Sequence, residues 1–435
     1  MQIQTISRET IKPASPTPDH LRKYKLSVLD QLCPEVHFPI ILFYSSPGKD
    51  TAETSLHLKN SLSKILTLYY PFAGRVKDDY TVDCNDNGAL FIEAKVSSQM
   101  SDILKRPEKD VIKQLLPYKI HEKIIGDPVN LSVQVNYFAC GGIAIGVGFN
   151  HRVADATAAA NFVKNWAKVA NPSNNEEIKN VIFDCTSFFP PQDLVELRKS
   201  SLFQGQYAST DPNVISKRFT FEAAKIAALK EEIGKIADSV DRPSRFEAVS
   251  AVMLNAITAM TKDPAQFVGF IPVNLRNRMK PEIPGDCMGC VSQMTMANWS
   301  NMETGVGSNS IAGDLHEAIK MMDDNFVREF HASGGYMNFV KSLPVEEMAK
   351  NNIKMKSFVI TSWCRLPWYE TDFGWGKPLW MWVSSAARNE NIAILTDNID
   401  GDGIDAWVGL SKEDMIKFEQ DPGIKAYASF EPTKI

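Results

Sequence analysis

Apolar residues recur along this chain at two spacings, and each spacing predicts an element. Between Ser55 and Tyr69, Leu58, Leu62, Ile65 and Leu66 fall at helical intervals, which predicts an amphipathic helix. The run Phe38–Tyr44 is apolar throughout, with Pro39 near its start, and reads as a strand. Leu131–Tyr137 and Ile143–Phe149 read as two further strands, turned by Gly141 and Gly142. Immediately downstream, Ala156–Ala170 returns to helical spacing, with Phe162, Val163 and Trp166 on one side. Between that strand and that helix lies His151-Arg152-Val153-Ala154-Asp155, a polar break at a strand-to-helix junction.

After Ala170 the periodicity fades. Asn171–Lys179 is rich in Asn and Glu, and Asp184–Pro212 has two adjacent prolines and no regular spacing, so it reads as a crossover between two halves. Order returns with a strand over Lys217–Phe221 and a helix over Ala223–Ser239, whose Ile226, Leu229 and Ile233 share a face. A helix over Arg245–Met260 and a strand over Val268–Asn274 follow. Further strands are expected at Phe358–Leu366, Leu379–Ser384, Ile392–Thr396 and Ile404–Leu410. Strands and helices alternate irregularly in both halves, which favours mixed α/β layers over a helical bundle. The expected division is residues 1–183, a crossover over 184–212, and residues 213–435. No internal repeat is legible.

Composition narrows the function. At 435 residues, 44% hydrophobic and 23% charged, the chain can bury more than one sizeable core. With 47 basic against 52 acidic residues, a net charge of −5 leaves no basic footprint for nucleic acid or an anionic membrane. No apolar run approaches the roughly 20 residues that span a bilayer, and Met1–Ser15 lacks a signal-peptide core. The expectation is a cytoplasmic, monomeric enzyme.

Seven cysteines, odd in number and spread thinly, argue against a disulfide framework. Cys287-Met288-Gly289-Cys290 is a single CxxC in a turn-like stretch beside Pro284 and Gly285, with no second CxxC or HxxxH to complete four ligands. No metal is therefore expected. Cys140, before the glycine pair, reads as a small packing residue.

His151 is the residue with chemistry to offer. An imidazole titrates near neutral pH and, held at a junction facing a cavity, suits proton abstraction from an alcohol. The plainer alternative is a hydrogen-bonded core histidine, with Asp155 as the N-cap of the following helix. Far downstream, Asp372-Phe373-Gly374-Trp375-Gly376 is an aromatic turn whose glycines permit backbone conformations barred to other residues.

His151 with Asp155 (HxxxD), and Asp372–Gly376 (DFGWG), in this order and these positions, resemble the two hallmark motifs of the BAHD acyl-CoA-dependent acyltransferases of plants. The resemblance extends over nearly the whole chain. It takes in Ile11-Lys12-Pro13, Leu26–Asp30, Tyr70–Arg75, Val82–Gly88 and Asn274-Leu275-Arg276. Ser362-Trp363-Cys364-Arg365 leading into DFGWG is similar to the branch that acetylates alkaloids.

The resemblance implies two chloramphenicol-acetyltransferase-like domains with mixed sheets, joined by the crossover, with an active-site channel between them. It implies acyl-CoA, with acetyl-CoA first, as co-substrate, and a small-molecule alcohol as acceptor, with an alkaloid as first expectation. Terpenoid, phenolic, quinone and sugar-ester acceptors stay open, as do a longer or branched acyl group and a non-catalytic small-molecule-binding homologue. His151 would be the general base, and Asp155 would pair with Arg276 rather than with the histidine. Asp372, Gly374, Trp375 and Gly376 would be structural. Thr361 and Trp363 are oxyanion candidates, since a hydroxyl and an indole N–H can both donate. Ser244 and Arg245, at the start of a helix, are candidates for coenzyme A contact, because free N–H groups and the helix dipole favour anions there. Phe149, Trp368 and Trp382 are candidate walls for an apolar acceptor pocket, with core filling as the alternative for each ring.

Overall fold

A computed structural model describes residues 2–105, 107–118, 129–174, 177–178, 181–199, 213–236, 242–263, 265–302, 307–336, 338, 354–384 and 390–430. Among them fifteen strands run in chain order. The first eight are Ile3–Ile11 (β1), Lys23–Lys25 (β2), His37–Tyr44 (β3), Arg75–Val76 (β4), Thr81–Asp83 (β5), Ala89–Val96 (β6), Leu131–Phe138 (β7) and Ile143–Asn150 (β8). Val214–Phe221 (β9), Ala265–Asn274 (β10), Ser292–Ser300 (β11) and Lys354–Ser362 (β12) follow. Trp380–Val383 (β13), Ile392–Asp397 (β14) and Ile404–Ser411 (β15) complete them. Two six-stranded sheets result, ordered β1-β6-β7-β8-β3-β13 and β11-β10-β12-β14-β15-β9, with a small sheet β2-β5-β4 beside the first. Both large sheets are mixed. β6 and β7 pair in parallel, as do β10 with β12 and β12 with β14, while the remaining pairs are antiparallel. This is the mixed α/β architecture that the alternating pattern predicts.

Helices cover these sheets with the apolar faces read from the sequence. Thr51–Leu68 (α1) buries Leu58, Leu62, Ile65 and Leu66, and Ala156–Ala170 (α2) buries Phe162, Val163 and Trp166. In the second half, Ala223–Ile236 (α3) buries Ile226, Leu229 and Ile233, and Arg245–Ala259 (α4) is buried along most of its length. The expected end of α3 at Ser239 lies outside the described residues. Two hydrophobic cores result, one under each sheet.

The halves are more interlocked than a cut in sequence implies. β13 belongs by position to the second half but pairs antiparallel with β3, completing the first sheet. Val28 and Leu29 from the first half sit in the second core, alongside Cys185, Phe189, Leu194 and Leu197 of the crossover. The crossover is thus an anchored strap as far as it is described, with a short helix at Val195–Arg198, and its residues 200–212 lie outside the described ones. Isolated bridges Ala154–Gly289 and Ile182–Cys287 stitch the seam further.

Three further departures have physical reasons. Ile3–Ile11, for which the spacing predicts no element, is the edge strand of the first sheet, where one face meets solvent and polar side chains are tolerated. The predicted strand at Phe358–Leu366 ends at Ser362, because Cys364–Arg365 turn, with Arg365 at φ 63°. Cys140 is exposed in the turn between β7 and β8, so the packing role expected of it is wrong.

Candidate active site

His151 sits where β8 stops and before α2 starts, and the turn is held on every side. Its backbone N–H donates to the Val36 carbonyl (2.9 Å), while the Asn150 carbonyl accepts from Val153 (3.0 Å) and Ala154 (3.3 Å). The buried side chain of Arg152 reaches Glu35 and Asp79, both 3.3 Å away. β8 itself is narrow by necessity. A side chain at Gly148 would collide with the Tyr118 ring, which lies across the strand.

Asp155 is both cap and tie. Its Oδ1 accepts from the Ala158 N–H (2.9 Å), closing the first turn of α2. The same carboxylate meets the buried Arg276 guanidinium bidentately, at 2.7 Å and 3.1 Å, and its Oδ2 also accepts from the Val291 N–H (3.0 Å). Arg276 in turn donates to the carbonyls of Cys287 (2.9 Å) and Gly289 (3.3 Å). Burial pushes the Asp155 carboxyl up, but the Arg276 charge and its hydrogen bonds outweigh that and hold it below the usual carboxylate range. Both readings of Asp155 coexist because a carboxylate has enough lone pairs for cap and guanidinium together. No such bond links Asp155 to the imidazole.

What surrounds the imidazole is sulfur and aromatic carbon. Its ring centroid lies 4.9 Å from that of Phe38, and Phe38 lies 5.8 Å from Trp363. The Cys290 thiol donates to the His151 carbonyl (2.8 Å), and its Sγ lies 3.8 Å from Nδ1. Cys33 completes the group, so that its sulfur, the Cys290 sulfur and a ring nitrogen of His151 all lie within 4.8 Å of one another. Contact with the Cys290 thiol lowers the Cys33 thiol to about 6, against burial and with help from the His151 charge. Burial depresses the His151 imidazole, but the charge and hydrogen bond of Cys33, the backbone and the Asp155 charge together raise it above its ordinary value. Asp30 accepts from the Cys290 N–H (2.6 Å) and thereby fixes that residue; burial raises its carboxyl to about 7.

The other candidates divide by position. The CxxC pair does not act as a unit: Cys290 faces His151, whereas Cys287 Sγ faces Cys185 Sγ at 2.6 Å. Trp363 reaches His151 through Phe38, and Thr361 lies two residues earlier along β12, with a side chain on the same side of the strand. Phe149 and Trp368 are both buried rings. Phe149 is wholly buried among Phe38, Phe72 and Phe162, and Trp368 lies behind Trp363 at 5.9 Å. Trp382 is not brought to the histidine. It pairs with Ile41, three residues (about 10 Å) along β3 from Phe38, and packs on Trp407.

Ser244 and Arg245 do open α4, but their groups are engaged. Ser244 and Glu247 form a capping box, and the Arg245 guanidinium donates to Asp397 (2.8 Å) and to the Asp402 carbonyl (2.8 Å). An anion there would have to displace Asp397. Asp372 accepts from the Gly374 (2.8 Å) and Gly376 (2.9 Å) N–H groups, folding DFGWG into a closed turn. Phe373, fully buried against Trp166, is its wedge, and the half-buried Trp375 stacks on it.

Sequence reasoning passed over Phe38, Cys33 and Asp30. Phe38 had a signal, an aromatic at the start of a strand whose far neighbour is Phe149. Cys33 had none, because its distance from His151 in sequence is bridged only by the fold.

Comparison with known proteins assigns the family and the fold. A model of the Transferase family matches residues 1–424. Epi-neemfruitin B synthase of Melia azedarach is 45% identical over 442 residues, and the limonoid 21-O-acetyltransferase of Citrus sinensis is 45% identical over 441, each match covering all of both chains. The crystal structure of vinorine synthase superposes with a TM-score of 0.81 at 33% identity, again over the full length of both chains. The two-sheet fold, the HxxxD turn tied to Arg276 and these likenesses together establish that the chain belongs to the BAHD family of plant acyltransferases.

Proposed function

We propose that this acyltransferase moves an acetyl group from acetyl-CoA to a hydroxyl of a bulky, hydrophobic terpenoid, with His151 as general base in a ternary complex. The observation behind the mechanism is the division of labour in the HxxxD turn. Asp155 is spent on Arg276, leaving the imidazole as the group able to take a proton. As the acceptor oxygen attacks the thioester carbonyl, its proton passes to His151. When the tetrahedral intermediate collapses, that proton can go to the departing thiolate. Thr361 and Trp363 are the proposed donors to the oxyanion, and removal of such a donor elsewhere costs about 10²–10³-fold in turnover. No covalent acyl-enzyme is required, because a thioester is already activated.

The acceptor class rests on the relatives. Those named for limonoids are 44–45% identical over the whole chain, whereas stemmadenine O-acetyltransferase and vinorine synthase are 34% identical. A terpenoid acceptor therefore replaces the alkaloid as first choice. The aromatic and sulfur surroundings of His151 suit an apolar body better than a charged one. Among the described residues no helix is long and apolar enough to cross a membrane; a cytoplasmic monomer is a separate part of the proposal.

Purified protein with labelled acetyl-CoA and a panel of limonoid, alkaloid, phenolic and sugar alcohols tests this. Ester formation favouring the limonoid alcohols is expected. Preference for an alkaloid overturns the acceptor class. Binding without ester from any acceptor or acyl donor favours a non-catalytic homologue, and thiol release without an acceptor favours a hydrolase.

A further inference from the structure

The group beside the base has the composition of a metal site. Cys33 comes from the segment before β3, His151 from the end of β8 and Cys290 from the loop before β11, so three distant stretches converge on one point. Two sulfurs and an imidazole nitrogen lie within 4.8 Å of one another, and the Cys290 Sγ to His151 Nδ1 separation is 3.8 Å. Zinc bound tetrahedrally by sulfur at about 2.3 Å and nitrogen at about 2.0–2.1 Å places neighbouring ligand atoms roughly 3.5–3.8 Å apart. The group is thus within a rotamer adjustment of that geometry. Two of its members are already anchored: Cys290 through its N–H to Asp30, and His151 through its N–H to Val36. Cys33 and His151 retain partial exposure, so an ion has a way in.

We propose that Cys33, His151 and Cys290 form a site for a thiophilic divalent cation, Zn²⁺ above all, and that its occupation reversibly silences the acyltransferase. Three protein ligands leave a fourth position for water. On binding, the two thiols release their protons to solvent and the imidazole donates a ring lone pair, with no change of oxidation state. The consequence for turnover follows from the ring itself. A neutral imidazole has one lone-pair nitrogen and one N–H. When metal takes the lone pair, the other nitrogen holds the hydrogen, and no basic position is left for the alcohol proton, whichever nitrogen faces the acceptor.

The inhibitory half rests on His151 being the base, whereas the site itself does not, so binding and turnover are measured separately. Full-length protein, stripped with a chelator, is titrated with Co²⁺ as a spectroscopic substitute for Zn²⁺. One equivalent with a thiolate-to-cobalt charge-transfer band is expected, displaced by Zn²⁺ and lost in Cys33→Ser. Cys290→Ala serves as the second variant should the first misfold, with thermal melting as the check on folding. Zn²⁺ at one equivalent should lower turnover by about 10²-fold or more, the scale of general-base catalysis. A chelator should restore it, and each variant, measured against its own metal-free rate, should resist. Absence of the band, or its persistence in the variants, overturns the site. A band with undiminished turnover leaves the site standing but overturns the silencing and, with it, the assignment of His151 as base.

Discussion

The two hallmark motifs meet opposite ends of one helix, α2, and use an aspartate in opposite ways. At its N-terminus Asp155 faces outward from its own half of the chain, capturing Arg276 of the other, and the turn before it presents His151. At its C-terminus, about 22 Å away, Asn171 and Pro172 meet the DFGWG turn, where Asp372 looks inward and binds the N–H groups of its own loop. One aspartate joins two bodies, and the other closes a single turn. An intact motif therefore does not identify chemistry by itself. What distinguishes the ends is that in one turn a titratable side chain is left over after the structural bonds are made, whereas in the other the aspartate is taken up by the N–H groups of its own loop.

The largest effect should come from that leftover group. His151→Ala is expected to lower turnover by about 10²–10⁴-fold, the range of general-base catalysis, with thermal stability nearly unchanged because the side chain makes no structural ion pair. Single-turnover rates and melting curves on the same preparation decide it, and near-normal turnover would defeat the assignment.

Asp155→Ala should act on the fold instead. It leaves a buried guanidinium unpaired, at a cost of about 3–5 kcal/mol, on top of about 1 kcal/mol for the lost cap. Asp155→Asn separates the two, since asparagine caps as well as aspartate but has no charge. If denaturant unfolding finds Asn nearly as damaging as Ala, the inter-half pair dominates; if Asn is nearly harmless, the cap does. Full stability with lost activity would instead make Asp155 a participant in the chemistry. The Asp155 carboxyl is held low in the fold, so its stabilisation is present above the ordinary aspartate range and fades as pH falls through the depressed value.

A second histidine near the same end of α2 gives a contrasting pH signature. His37 is in register with Asn150, one residue before His151, and its Nε2 donates to the Val129 carbonyl (2.6 Å). Burial lowers its imidazole from 6.5 to about 4. Between those values the unfolded chain binds the proton and the folded one does not. Stability is therefore intact above about pH 6.5 and is lost progressively as pH falls toward 4, by about 3 kcal/mol in all. His37→Gln should flatten that slope in denaturant melts taken from pH 7 to pH 4. An unchanged slope would place the acid sensitivity elsewhere.

The legibility of these features in the sequence follows their range. The helical spacing of Leu58, Leu62 and Ile65, and the apolar run of β3, are local signals and predict their elements directly. His151 and Asp155 were legible because they are four residues apart across one junction. β13 was legible as a strand but not as a member of the first sheet, since its partner β3 lies more than 300 residues away. Cys33, Cys290 and Asp30 were invisible as a group for the same reason. For Phe149, Trp368 and Trp382 the sequence left pocket wall and core filling both open, because burial is set by what packs against a ring, and that is not written beside it.

The smallest effect on turnover should appear at the closed end of α2, and it sharpens the contrast most. Gly374 (φ 101°) and Gly376 (φ 105°) both hold conformations that L side chains rarely adopt, so an alanine at either is strained by about 1–3 kcal/mol. Only Gly374 is also crowded. A Cβ there would lie 3.0 Å from the Pro172 Cδ, whereas at Gly376 nothing lies within 4 Å. Gly374→Ala should therefore lower stability more than Gly376→Ala, by a further margin of about 1 kcal/mol for the forced shift of Pro172 at the end of α2. In both variants the folded fraction should keep its kcat and its KM, because the turn binds itself and leaves no group over for the reaction. If either alanine removed turnover while the melting temperature held, the DFGWG end would have to be counted with His151 in the chemistry, and the division between the two ends of the helix would fail.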